Sequence, residues 1–331
     1  MHITRQFKKR WNQAVHHTRK NSHLHFYMKG IMRNAEPSLA LKLKRHHMLA
    51  ELHRMTAAER QQVLSRVDYY CKFHDQIPLP SDAPLLSEFR LKGSVGYDQR
   101  HINSSYYFDA KEFTRFYPKR LRWAFVSGDV NTVLSQPCIV KSRPIAAGDE
   151  NRNNILLNLD KVRHFTWVHD PIAWADKKCI VLFRGDVRNK PRRQQFIDMW
   201  KDDSLCDLQN TGSMSLYDHL AYKYIMALEG NDVASNLKWV MSSNSVAVMP
   251  KPRMETWFME GQLIANYHYV EIAGDYHDLK ERVMYYEAHP DEAQAIVEHA
   301  HEWVRQFRNK RRERLISLLV LEKYFTLTGQ L

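Results

Sequence analysis

The stretch KYIMALEGNDVASNLKWVMSSNSVAVMPK, Lys223 to Lys251, sets the architecture. Two apolar runs, YIMALEG and VAVMPK, flank a polar Gly-Asn-Asp turn and a segment, NDVASNLKWVMSS, that reads as a helix. Short continuous apolar runs are strands buried on both faces, and a helix between two of them makes a βαβ unit with a parallel sheet. Working outward, KKCIVLFRG (Lys177–Gly185) is a further buried strand, and the second half of DVRNKPRRQQF is a helix. MSLYDHLAYK and METWFMEGQL read as helices and YHYVEI as a strand. From Tyr276 to Phe325 the chain is strongly helical, with a new helix opening at Pro290–Asp291.

Upstream, RWAFVSGDV (Arg122–Val130) and PCIVKSRPI (Pro137–Ile145) read as two buried strands that each end in polar residues. PLPSDAPLL (Pro78–Leu86) is a loop, and ILLNLDKVRHF is a strand or a helix. Residues 1–75 read as mostly helical, with Leu39, Leu41, Leu43, Leu49 and Leu52 at amphipathic spacing.

A chain of 331 residues, 44% of them apolar, suggests two domains that each bury a core. Charge is uneven: residues 1–75 hold fifteen Lys and Arg against five Asp and Glu, most of the net +12, and nine of the 18 histidines. Such a region points to an anionic partner, whether nucleic acid, lipid headgroups or a phosphorylated glycan, with a solvated helical face that has no specific partner as the alternative. No apolar window approaches the twenty residues of a membrane span, and the N-terminus has no apolar segment of a secretory signal. Cys71, Cys138, Cys179 and Cys206 lack metal-ligand spacing and read as reduced thiols of a cytosolic protein. HExxH, Walker A, GxSxG, GxGxxG and D-x-D patterns are all missing.

Parallel sheets bind ligands at the carboxyl ends of their strands. The residues to inspect are therefore Asp129, Ser142–Arg143, Arg184–Gly185, Gly230–Asn231–Asp232 and Lys251. A helix start after Asn231 and Asp232 suits a diphosphate, and Arg184, Arg188, Arg192 and Arg193 supply charge nearby in sequence; a plain helix cap with surface arginines is the alternative. Asp129 at a strand end has the chemistry of a general base, with a turn or cap aspartate as the alternative.

Three segments in order, WADKKCIVLFRGDVRNKPRRQQF, YKYIMALEGNDVASNLKWVMSSNSVAVMPK and QLIANYHYVEI, resemble glycosyltransferase family 90. The likeness runs from about Arg122 to about Phe307, and its lipopolysaccharide branch matches best, through GDVNTV…VKSRPI and KPRMETWFMEG. The resemblance implies an α/β GT-B fold of two Rossmann-like domains facing a cleft. Residues 1–75 would be a basic helical region, 76–173 the acceptor-side domain and 174–306 the nucleotide-sugar domain. Residues 307–331 would be a helix returning to the first domain.

The implied reaction is an inverting, metal-independent transfer of a hexose from a UDP-sugar to a lipopolysaccharide core or related surface glycan, with no cofactor. Asp129 would be the base, with Asp109 as the alternative. Phe183, Arg184, Gly185, Arg193, Gly230, Asn231, Ser235, Lys238 and Glu255 would hold the nucleotide sugar, Glu255 through ribose hydroxyls, with a helix-start acid as its alternative. Lys141, Ser142 and Arg143 would lie on the acceptor side. Asn236 departs from the pattern, standing where many relatives carry Arg. The implied location is cytoplasmic, peripheral at the inner face of the membrane, with residues 1–75 on its anionic surface. A nucleic-acid-binding protein without catalysis is the alternative, favoured by pI ≈ 9.4 but lacking a recognised binding module.

Overall fold

The computed structural model describes residues 23–34, 37–91, 93–94, 96–209 and 214–331. The chain divides into two compact units. Residues 24–161, 253–259 and 307–331 make one, here the helical unit. Residues 162–252 and 260–306 belong to the other, the sheet unit. Residues 24–75 of the basic N-terminal segment and the chain's final helix thus share a unit, while residues 1–22 lie outside the described residues.

The helical unit opens with α1 (His23–Asn34), α2 (Ser38–Arg54), α3 (Ala57–Tyr70) and α4 (Ser104–Thr114). A capping box starts α3: the Thr56 hydroxyl accepts from the Glu59 N–H at 3.3 Å, and the Glu59 carboxylate accepts from the Thr56 N–H at 3.1 Å. Strands β1 (Cys138–Val140), β2 (Ser142–Pro144) and β3 (Asn154–Leu156) follow. β1 runs parallel to β3, and Phe125 forms a single parallel bridge to Ile139 on the other side of β1. RWAFVSGDV is therefore an irregular segment beside a short ladder rather than a full strand. Gly128, at φ +90°, turns the chain away and ends the pairing.

Helix α5 (Lys161–His164) spans the boundary between the units in sequence. The sheet unit then lays down β4 (Lys178–Arg184), α6 (Pro191–Trp200), β5 (Cys206–Gln209), α7 (Leu216–His219), β6 (Tyr222–Met226), α8 (Leu237–Val240) and β7 (Val246–Pro250). Strand β8 (Met254–Thr256) returns to the helical unit and pairs antiparallel with β2. Strand β9 (Val270–Ile272) and helices α9 (Leu279–Ala288) and α10 (Pro290–Arg305) complete the sheet unit. The last helix, α11 (Lys310–Leu327), packs on α2, α3 and α4.

The sheet is five-stranded and wholly parallel, in the order β5-β4-β6-β7-β9. All five residues of β6 are buried, as are Val181, Leu182 and Phe183 of β4 and Val246 to Met249 of β7. Leu279, Val283 and Tyr286 of α9 and Ala293, Ile296 and Val297 of α10 join the same core. From β4 the chain steps outward to β5, then crosses to β6 on the other side. The reversal falls between β4 and β6, and the loops after those strands diverge there, opening the crevice in which such sheets take ligands. The protein is thus a mixed α/β fold with a Rossmann-like parallel sheet.

Two predicted helices take other forms. METWFMEGQL gives β8 and a 3-10 turn at Glu260–Gln262, because Met254, Glu255 and Thr256 are buried in register with Pro144, Arg143 and Ser142. NDVASNLKWVMSS is helical only over α8, since the Asn236 side chain donates to the Met226 carbonyl at 2.8 Å and holds the preceding residues as a loop. The helix therefore begins at Leu237 and not beside the Gly230 turn.

Candidate active site

At the switch point, the helix with an open N-terminus is α6. Pro191 occupies its first turn, where a missing N–H costs nothing, and the N–H groups of Arg192 and Arg193 have no carbonyl one turn back inside the helix. Arg193 ties the two strand-end loops together. It donates to the Asp186 carbonyl after β4 at 3.0 Å, and to the Leu228 and Glu229 carbonyls after β6 at 2.6 and 3.1 Å. Burial pulls its guanidinium pKa down, while Asp186 and Asp232 support the charge.

Both glycines at this place are there for room. A Cβ on Gly230 would lie 3.0 Å from Arg193 Nη2 and 3.4 Å from Lys190 Cε. One on Gly185 would lie 2.9 Å from the Phe183 ring and 3.5 Å from Arg193 Nη1. Gly185, Gly230, Lys190 and Arg193 therefore converge, with Asn231 exposed at the next position. Phe183 itself is a core residue, edge-on to Phe196 at 5.7 Å.

Arg184 points sideways along the sheet. Its Nη1 donates to the Asp207 carbonyl at 2.7 Å and its Nη2 to Asp207 Oδ1 at 2.6 Å, with 4% of the side chain exposed. Although burial raises the Asp207 carboxyl, hydrogen bonds from Tyr222 and Arg184 hold it below the usual range. Lys238 is fully buried and ion-paired to Glu260 at 2.5 Å, and Ser235 sits half-buried in the turn before α8.

The remaining candidates belong to the helical unit. Asp129 accepts from Lys141 Nζ at 2.5 Å; the lysine side chain is 2% exposed and the aspartate 29%. Ser142 fixes the next residue, accepting from the Val130 N–H at 3.1 Å and donating to its carbonyl at 3.2 Å. The result is a carboxylate on a rigid turn, aimed by a buried ammonium and still open to solvent. Arg143 and Glu255 are paired inside the protein, Nε to Oε1 at 2.7 Å, with 0% and 3% of their side chains exposed. The Arg143 guanidinium also holds the Tyr69 and Asn154 carbonyls at 2.8 and 3.2 Å, and the Tyr69 hydroxyl donates to Glu255. Asp109 lies buried on α4, where burial pushes its carboxyl up to about 6 against the pull of Lys161.

Lys190 and Asp207 were not among the residues singled out from the sequence. Lys190 carries a readable signal, since it directly precedes a helix-opening proline. Asp207 carries none, because CDLQ has too few apolar residues to read as a strand.

A parallel sheet with a basic switch point at a helix N-terminus defines an α/β protein suited to an anionic ligand. Residues 161–324 match the profile of glycosyl transferase family 90. The chain is also 37% identical over 313 residues to O-glucosyltransferase LpsA of Dichelobacter nodosus, a match covering 91% of this chain and 95% of that protein. The chain belongs to glycosyltransferase family 90. It is a transferase enzyme, and its reaction moves a sugar from a donor to a glycan acceptor.

Proposed function

We propose that the chain moves a hexose from a UDP-sugar to a hydroxyl of a lipopolysaccharide core or related surface glycan, with inversion and without a metal, on a GT-B framework. A glucosyl group is the first choice, since the relative in Dichelobacter nodosus is named an O-glucosyltransferase. The observation that carries the donor assignment is Arg193 bridging the two switch-point loops beside Lys190 and the start of α6. A leaving diphosphate gains negative charge as the glycosidic bond breaks, and these groups supply fixed positive charge and N–H donors there. Asp129 is assigned as the base. It takes the acceptor hydroxyl proton as that oxygen attacks C1 from the face opposite the UDP. Its tie to Lys141 and the Ser142 clamp on Val130 hold the carboxylate in one orientation, which a proton acceptor requires.

Among the described residues no helix is long and apolar enough to cross a membrane. A peripheral location at the inner membrane face, through the basic residues 1–75, completes the reading.

Thermal unfolding with UDP, GDP, CMP and ADP, each with and without Mg²⁺, tests the donor. A rise in melting temperature with UDP alone, independent of Mg²⁺, is the expected result. No shift with any nucleotide counts against the donor site. Asp129→Asn should lower transfer by about 10²–10⁴-fold and leave UDP binding intact. Normal turnover in that variant removes Asp129 from the role.

A further inference from the structure

The helical unit holds a cavity of about 1060 Å³ between α1, α2, α4 and the segment after α4. Eight basic side chains line it and no carboxylate does. Three of the eight are already engaged. Arg33 pairs with Glu112 at 2.7 Å, Arg45 pairs with Glu322 at 2.5 Å, and Arg115 donates to the Glu112 and Arg33 carbonyls. The other five are Lys42, His46, Lys111, Lys119 and Arg120. None of them has a hydrogen bond or ion pair to a carboxylate among the described residues.

Lys42, His46, Lys119 and Arg120 are exposed at the mouth, while Lys111 is half-buried in the wall. Burial, and next to it the charge of Lys119, pull the Lys111 ammonium below its usual pKa. Uncompensated like charge around a concavity is unfavourable in the empty protein, and an anion relieves it. The floor is apolar and partly aromatic, from Leu41, Leu86, Tyr107 and Phe116, all buried. Such a floor suits the ring faces of a saccharide, and the cavity has the size of a site for several sugar residues. A flat lipid surface would meet the exposed mouth but not Lys111.

We propose that this cavity binds a phosphorylated saccharide, its phosphate held by Lys111 and Lys119 with Lys42 and Arg120 at the mouth. It rests on the reading of the protein as a transferase to a charged glycan, and would be the place where the acceptor's anionic groups are recognised.

The test uses the full chain and calorimetric titration with a mannopentaose bearing one phosphomonoester, against the same sugar after phosphatase treatment. The phosphorylated sugar should bind about tenfold or more tightly than the treated one, and added salt should weaken it. Lys111→Gln/Lys119→Gln should abolish that difference, and Lys42→Gln/Arg120→Gln, both at exposed positions, should reduce it. Equal affinity for the two sugars, or undiminished preference in both double variants, overturns the proposal. So does loss of binding to vesicles of phosphatidylcholine and phosphatidylglycerol in the variants while their preference for the phosphorylated sugar persists, because the cations would then serve a membrane. The UDP melting shift, read on the same samples, reports on the donor site alone. Its presence without phosphate discrimination rejects the cavity and leaves the transferase reading standing.

Discussion

Arg193→Ala separates bracing from binding at the switch point. The side chain makes three hydrogen bonds to carbonyls on two loops. Each bond to a charged group contributes about 1.5–3 kcal/mol, so independent loss of three would cost roughly 5–9 kcal/mol. The full sum will not be lost, because Arg193 is only half-buried and the freed carbonyls can turn to water. We expect a net loss of about 2–3 kcal/mol, a fall in melting temperature of roughly 5–10 °C in a unit of this size. Arg193→Lys keeps the charge without the planar fork and should recover part of the loss. UDP affinity is measured separately, by calorimetry well below the melting transition. A lost contact to a diphosphate should weaken it about ten- to a hundredfold in the alanine variant. An unchanged melting temperature refutes the brace, and a lowered one with unchanged UDP affinity refutes the anion site.

Arg143→Ala should destabilise by about 3–5 kcal/mol, because it leaves Glu255 charged and buried without its partner; chemical denaturation measures this, and a loss under about 1 kcal/mol contradicts the network described. Gly185→Ala should cost about 1–3 kcal/mol by pressing a methyl group onto the Phe183 ring, and should weaken UDP binding if Arg193 shifts; wild-type stability would show that the loop yields freely. Asp109 supplies a pH test. Its folded carboxyl titrates at about 6, while an unfolded aspartate titrates near about 4, so the native state keeps a proton that the unfolded chain releases. This group's contribution therefore falls as pH rises from about 4 to about 6 and stays low above that. Asp109→Asn should gain stability relative to wild type across that window, and a difference constant from pH 4 to 7 would show that Asp109 does not titrate there.

Strands β4, β6 and β7 are legible because both faces are buried, which leaves continuous apolar runs in the sequence. β5 is not, since an edge strand with Asp207 and Gln209 needs no such run. Met254–Thr256 has helical composition, and only its pairing with β2, more than a hundred residues away, makes it a strand. Asp129 stands out in the sequence as an acid after an apolar run. Lys141 and Ser142 read there as separate polar residues, and their hold on Asp129–Val130 depends on how Gly128 turns the chain. Arg184 and Arg193 look alike in sequence. Asp207 fixes the first along the sheet edge, while the carbonyls of Leu228 and Glu229 draw the second across the crevice.

The helical unit is built from the two ends of the chain, and its closing helix seats Leu315, Ile316, Leu318 and Leu321 in the core it shares with α3. On the ribosome, α3 therefore emerges long before its packing partner. Residues 71–309 must be synthesised in between, a delay on the order of tens of seconds at about 5–20 residues per second. Through that interval the side of α3 that the last helix covers lacks its native partner, so a nascent chain of this enzyme should depend on chaperones until that helix emerges.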